Sequence, residues 1–193
     1  MKLQIILSVL IPLFAIGVFL TSQNPISSVY GQELSEYESD LLGIKLQYPK
    51  EWEENMNEET SSTSENNHHS LTFNLIGDNI LRIYVHDTDP GVKNLNQLML
   101  DQINLLTSTG SFAVKFIELN QNVTLADLPA IKIVNDQNFQ LGNDPNLTTL
   151  MQILALSDDG SKTYGVTYRI DKPLFEEYLT EVEKIISSIE FIQ

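Results

Sequence analysis

Apolar and polar residues alternate in short stretches along most of this chain, the period of strands that bury one face. Gly43-Ile44-Lys45-Leu46-Gln47-Tyr48 alternates and stops at Pro49, which has no N–H to continue a ladder. Leu71 to Ile76 alternates in part and meets Gly77-Asp78-Asn79; Ile80 to Val85 follows at once, so residues 71–86 read as a hairpin. Ala113 to Leu119, Ala130 to Phe139, Leu150 to Leu156 and Thr163 to Arg169 supply four more strands. Ser157 to Lys162 joins the last two, and its Asp159-Gly160 pair is a strong hairpin signal. Two stretches change to the helical period. Asn94 to Thr107 carries Leu95, Leu98, Met99, Ile103 and Leu106 on one stripe. Near the C-terminus Asp171 stands as N-cap and Pro173 suits the first turn. Leu174, Tyr178, Leu179, Val182, Ile185, Ile186 and Ile189 then repeat at three and four, with Glu176, Glu177, Glu181 and Glu183 as the wet face. Each helix buries a single face and must lie on the sheet. The order predicts an α+β domain with helices packed on an antiparallel sheet.

Two regions break this pattern. Leu3 to Leu20 is almost wholly apolar after Met1-Lys2, and Val29-Tyr30-Gly31 offers the −3 and −1 positions of a cleavage site before Gln32. Residues 1–31 therefore read as a secretory signal peptide, or as an uncleaved membrane anchor, since a run of eighteen residues, interrupted only by Gln4, Ser8, Pro12 and Gly17, is just long enough to span a bilayer. Residues 32–38 read as a spacer and residues 39–193 as the domain. The second region, Glu51 to Ser70, is the most polar of the chain. Its Glu, Asn, Ser and Thr predict a long mobile loop over residues 53–69, where limited proteolysis should cut first.

Charge sharpens the picture. The chain has 26 acidic against 11 basic residues, and without residues 1–31 only Lys2 is lost, leaving 10 − 26 = −16. Phosphate contacts need clustered Lys and Arg, so nucleic acid is excluded as a partner, and an anionic lipid surface is disfavoured. What remains is a solvated, self-repelling surface, a basic partner, or loosely held cations. The absence of cysteine removes disulfides, thiolate metal sites and cysteine nucleophiles. Asn122-Val123-Thr124 and Asn146-Leu147-Thr148 match the N-glycosylation acceptor in stretches read as loops, in keeping with an exported glycoprotein.

Tyr37 and Asp40 precede Gly43-Ile44-Lys45-Leu46-Gln47-Tyr48-Pro49-Lys50-Glu51-Trp52. This stretch resembles the opening of PsbP-like domains, a "G-hydrophobic-x-hydrophobic-x-Y-P-x-x-W" motif. The ending is similar too: a strand, an acidic amphipathic helix, then Ser187-Ser188-Ile189-Glu190-Phe191. The resemblance covers roughly residues 36–192 and implies a three-layer α/β/α sandwich. That fold serves an extrinsic subunit of photosystem II and a nuclear-import factor that binds the Ran GTPase. It implies no shared catalytic residue and does not by itself assign a process. Trp52, the only Trp, is expected to fold back over the sheet as a packing residue.

Candidate chemistry is sparse. His68-His69 precede one hairpin strand, and His86 ends its partner, followed by Asp87 and Asp89. If residues 71–86 form the hairpin, His69 and His86 lie at the same open end. With Asp87 and Asp89 they could take zinc or another divalent ion. Adjacent residues of a strand point to opposite faces, so only one of His68 and His69 could join His86. Asp87-Thr88-Asp89-Pro90-Gly91 lacks the spacing and closing Glu of a calcium loop and reads as a turn. No GxSxG, HExxH or phosphate-binding glycine loop occurs. The expectation is an exported, non-enzymatic binding or accessory module at the outer cell face. It would need no cofactor, and its partner would be a protein or a small molecule. The alternative is an extracytoplasmic metal-binding protein or a hydrolase that uses the His69/His86 region.

Overall fold

The computed structural model describes residues 33–62, 67–108, 112–141 and 144–192; the predicted export segment, residues 1–31, lies outside them. In chain order the elements are β1 (Leu34–Ser39), β2 (Ile44–Pro49), β3 (Met56–Ser62), β4 (Asn67–Asn74), β5 (Ile80–Asp87), α1 (Leu95–Ser108), β6 (Phe112–Leu125), β7 (Leu128–Leu141), β8 (Asp144–Leu156), β9 (Lys162–Asp171), α2 (Phe175–Ser187) and β10 (Glu190–Phe191). Seven strands form an antiparallel sheet in the order β3-β4-β5-β9-β8-β7-β6. A second sheet has the order β1-β2-β10. The predicted antiparallel α+β domain is thus the observed one, but it holds two sheets. β10 is two residues long, too short to show an alternation.

The strand period places the core. On one face of the large sheet Leu71, Phe73, Leu81, Ile83, Val166 and Tyr168 are buried. They pack with Ile44, Leu46 and Tyr48 of β2 and with Tyr178, Val182 and Ile185 of α2. The residues between them point the other way. There Leu98 and Leu106 of α1 cover Ile131, Ile133, Leu150 and Leu154 of β7 and β8. The two helices therefore serve opposite faces of the large sheet.

The opening motif has a clear mechanical role. Gly43 takes φ +65°, a conformation that favours glycine, and its N–H closes the turn onto the Ser39 carbonyl at 2.8 Å. Ile44, Leu46 and Tyr48 face the core, and a 3₁₀ turn over Lys50–Asn55 follows Pro49. That turn carries Trp52 onto Phe73 of β4, with ring centroids 5.9 Å apart, as the packing reading of Trp52 requires. The closing segment returns to the same place. β10 pairs with β2, and the Ser188 hydroxyl accepts the Gln47 N–H at 2.9 Å.

Several local expectations change. Residues 53–69 are not a long loop: β3 pairs with β4 from Met56↔Phe73 to Ser62↔Asn67, and only residues 63–66 lie outside the described structure. β3 is an edge strand with most of its side chains in water, so backbone hydrogen bonds hold it and no apolar alternation announces it. β1 begins at Leu34, inside the stretch read as spacer. Both sequons lie in strands, Asn122 in β6 and Asn146 in β8. Asp171 makes no side-chain cap. A 3₁₀ turn over Lys172–Leu174 intervenes, and α2 starts at Phe175. The turn is pinned by the Asp171 N–H donating to Asn79 Oδ1 at 2.8 Å and by an ion pair of Lys172 with the buried Asp136. Glu181, read as part of the wet face, is buried. β6 breaks register between Phe116 and Glu118 and between Asn120 and Val123, bulges that blunt the second edge of the large sheet.

The 157–162 turn forms as the sequence indicates. Gly160 takes φ +70°, and Asp159 accepts hydrogen bonds from the Ser161 N–H and from the hydroxyls of Ser157 and Ser161. These donors hold the Asp159 carboxyl at about 2, well below the usual carboxylate range. The folded value is depressed, so the turn's contribution should be complete above the unfolded carboxylate pKa of about 4 and should fade as pH falls towards 2. Melting curves of wild type and Asp159→Asn across that window check this: the gap between them should close at the acid end. A gap that persists unchanged would reject it.

Candidate functional site

The alternation of β5 buries Leu81, Ile83 and Val85 and places Arg82, Tyr84 and His86 together on the other face. β4 pairs with it in the register His68↔His86, Ser70↔Tyr84 and Thr72↔Arg82. His68 therefore joins that face. His69, opposite Val85, projects from the other side and meets the Thr60 hydroxyl at 3.2 Å. His68 and not His69 therefore faces His86 across the ladder, although His69 and His86 lie at the same end of the sheet. The reason is register: the turn over residues 75–79 aligns Asn74 with Ile80, which fixes every pair beyond it.

The His68 and His86 rings stack with centroids 6.3 Å apart, and Tyr84 lies 5.8 Å from His68 and 5.9 Å from His86. Tyr84 lies over Gly165 of β9, its partner across the ladder. Burial lowers the His68 pKa, and the charges of His86 and Arg82 lower it further. Arg82 donates its Nε–H to the Thr72 hydroxyl at 3.0 Å. Arg169 stands opposite Ile80, one diagonal step from Arg82, and donates from Nη2 to the Asp78 carbonyl at 3.1 Å. These are the only two arginines in the chain.

The other candidate ligands are engaged elsewhere. Asp87 takes an ion pair with Lys162 and accepts the Asn67 N–H at 3.1 Å, and these partners hold its carboxyl below the usual range. The Asp89 carboxylate accepts the Gly91 N–H at 2.9 Å, forming the turn read from the sequence. The His86 Nδ1 donates to the Asp87 carbonyl at 2.7 Å. His69, His86, Asp87 and Asp89 do share one end of the sheet. A shallow cleft of about 270 Å³ there is bordered by the Asp40–Gly43 turn, Asn67, His69, His86, Lys162 and Tyr164. Even so, among the described residues no group of three or more His, Asp or Glu side chains gathers in a way that would hold a metal ion. Nor, among them, is any helix long and apolar enough to cross a membrane.

The cyanobacterial PsbP protein CyanoP of Synechocystis sp. PCC 6803 superposes with a TM-score of 0.53 at 13% identity, over 86% of this chain and 99% of that one. This is a PsbP-like fold. LpqN of Mycobacterium tuberculosis, described as involved in cell envelope biogenesis, gives 0.53 at 10% identity over 83% and 91%. The Ran-binding protein Mog1p of Saccharomyces cerevisiae gives 0.52 at 6% identity over 84% and 97%. No protein-family model and no curated protein sequence matches the chain. The PsbP-like likeness is thus one of fold, carried by backbone and core pattern at identities where surface residues are free to differ.

Sequence reasoning missed His68, Tyr84, Arg82 and Arg169 as a group. The alternation of β5 already places Arg82, Tyr84 and His86 on one face. The register that adds His68, and the β9 neighbour that adds Arg169, are tertiary facts.

Proposed function

We propose that this chain is an exported, non-enzymatic binding or accessory module, built as the three-layer α/β/α sandwich of its fold. Residues 1–31 direct it out of the cytoplasm, the mature protein begins near Gln32, and it acts by surface contact with a partner protein. The observation that carries this reading is the fold shared with a Ran-binding protein and with a protein of cell envelope biogenesis. The apolar run Leu3 to Leu20 supplies the address.

Two measurements on protein from the native host test it. Intact mass should correspond to a start near Gln32, in an extracytoplasmic fraction; a cytoplasmic chain of full mass would reject the export. Elemental analysis after dialysis should find no stoichiometric zinc, since only His68 and His86 share a face. Zinc that is retained by the wild type and lost in both His68→Ala and His86→Ala would move the protein to the metal-binding or hydrolase class.

A further inference from the structure

α1 covers the β7–β8 part of its side of the large sheet, and the neighbouring strands β3, β4, β5 and β9 present a polar surface beside it. The side chains there follow from register: Glu59 on β3, His68 on β4, Arg82, Tyr84 and His86 on β5, Thr167 and Arg169 on β9, with Thr72 of β4 buried beside Arg82. Both arginines of a chain that carries 26 acidic residues stand on this one surface. Among the described residues neither guanidinium has a carboxylate partner, whereas Lys45, Lys50, Lys132, Lys162 and Lys172 are each ion-paired. Thr72 and the Asp78 carbonyl occupy one edge of each guanidinium and hold it in place. The remaining N–H groups form a fork matched to a carboxylate.

We infer that this surface docks an acidic segment of a partner protein, with two carboxylates that meet Arg82 and Arg169 and a backbone that runs beside the His68, Tyr84 and His86 rings. The inference rests on the binding-module reading and names the chemistry of its partner. Diagonal neighbours on adjacent strands stand about 7–8 Å apart. Alternate residues of an extended peptide are separated by nearly the same distance, about 6.6 Å. The surrounding charge sets the size of the ligand. At physiological salt, fields beyond about 8 Å are screened, so two nearby carboxylates are held while a long polyanion is repelled by the rest of the molecule.

The test uses the full-length chain and a fluorescein-labelled peptide, Ser-Glu-Ser-Glu-Ser, with Ser-Gln-Ser-Gln-Ser and inorganic phosphate as comparisons. Fluorescence anisotropy should show saturable binding of the Glu peptide alone. Arg82→Gln and Arg169→Gln should each weaken it about tenfold, the scale of one lost charge-assisted pair. Lys45→Gln, on the small sheet, should leave it unchanged, and melting curves should show each variant folded. Absence of saturable binding, equal binding by the Arg variants, or equal competition by phosphate would each overturn the docking surface. None of these outcomes bears on the start near Gln32 or on zinc content, so the broader module reading stands or falls separately.

Discussion

Phe73→Ala is expected to destabilise the domain by about 3–5 kcal/mol, the range for removing a fully buried aromatic side chain. Phe73 has no solvent exposure, and its ring meets Tyr48 at 5.3 Å and Trp52 at 5.9 Å. It is the point at which the opening motif, the small sheet and the first hairpin of the large sheet share one contact. Truncation leaves a cavity lined by two large rings, Tyr48 held by the β2 ladder and Trp52 by the 3₁₀ turn that follows it, so collapse around it is limited. Urea denaturation followed by Trp52 fluorescence reads the loss directly, since the reporter is the neighbour that loses its contact. A cost below about 1 kcal/mol would mean that the Trp52 turn is not anchored through Phe73.

The second large effect is expected at Gly165. Its φ is not in the left-handed region, so the glycine is there for space and not for backbone freedom. A methyl group added at its Cα would lie 2.1 Å from Tyr84 Cζ and 2.5 Å from its hydroxyl oxygen, far inside van der Waals contact. Gly165→Ala should therefore cost about 1–3 kcal/mol through displacement of that ring. In a Tyr84→Ala background the same change should cost close to nothing, and the difference measures the clash in a double-mutant cycle. Equal costs in both backgrounds would show that the ring does not rest on Gly165. The displaced ring should also disturb the His68–His86 stack, visible as a change in the His68 imidazole titration by NMR.

These two positions also show what the sequence could and could not carry. The pattern at Ile44, Leu46 and Tyr48 is set by burial on one side of a strand, and period two survives in any sequence that keeps that burial. The same holds for β5 and for the stripe of α2. β3 carries no such mark. Its fold-determining interactions are backbone hydrogen bonds to β4, which any residue except proline can make, so Glu58, Glu59, Thr60 and Ser61 read as loop. The two-residue β10 and the unannounced burial of Glu181 escape for related reasons: one is too short for a period, the other depends on what packs beside α2. The candidate site divides in the same way. Arg82, Tyr84 and His86 are legible as alternate residues, whereas the choice of His68 over His69 rests on a register set by the five residues between β4 and β5. A one-residue slip there would have reversed it.

The small sheet has a consequence for how this chain can come into being. β2 is paired on one side with β1, close by in sequence, and on the other with Glu190 and Phe191, while Ser188 bonds Gln47 across 141 positions and the Ile192 N–H reaches the Gly43 carbonyl at 3.0 Å. In a chain that emerges N-terminus first, β2 stays half-paired until Ser188 to Phe191 are available, 141 positions after Gln47 in the case of Ser188. Loop closure over such a distance is slow compared with hairpin formation. The small sheet therefore completes late, after the local hairpins of the large sheet can already form.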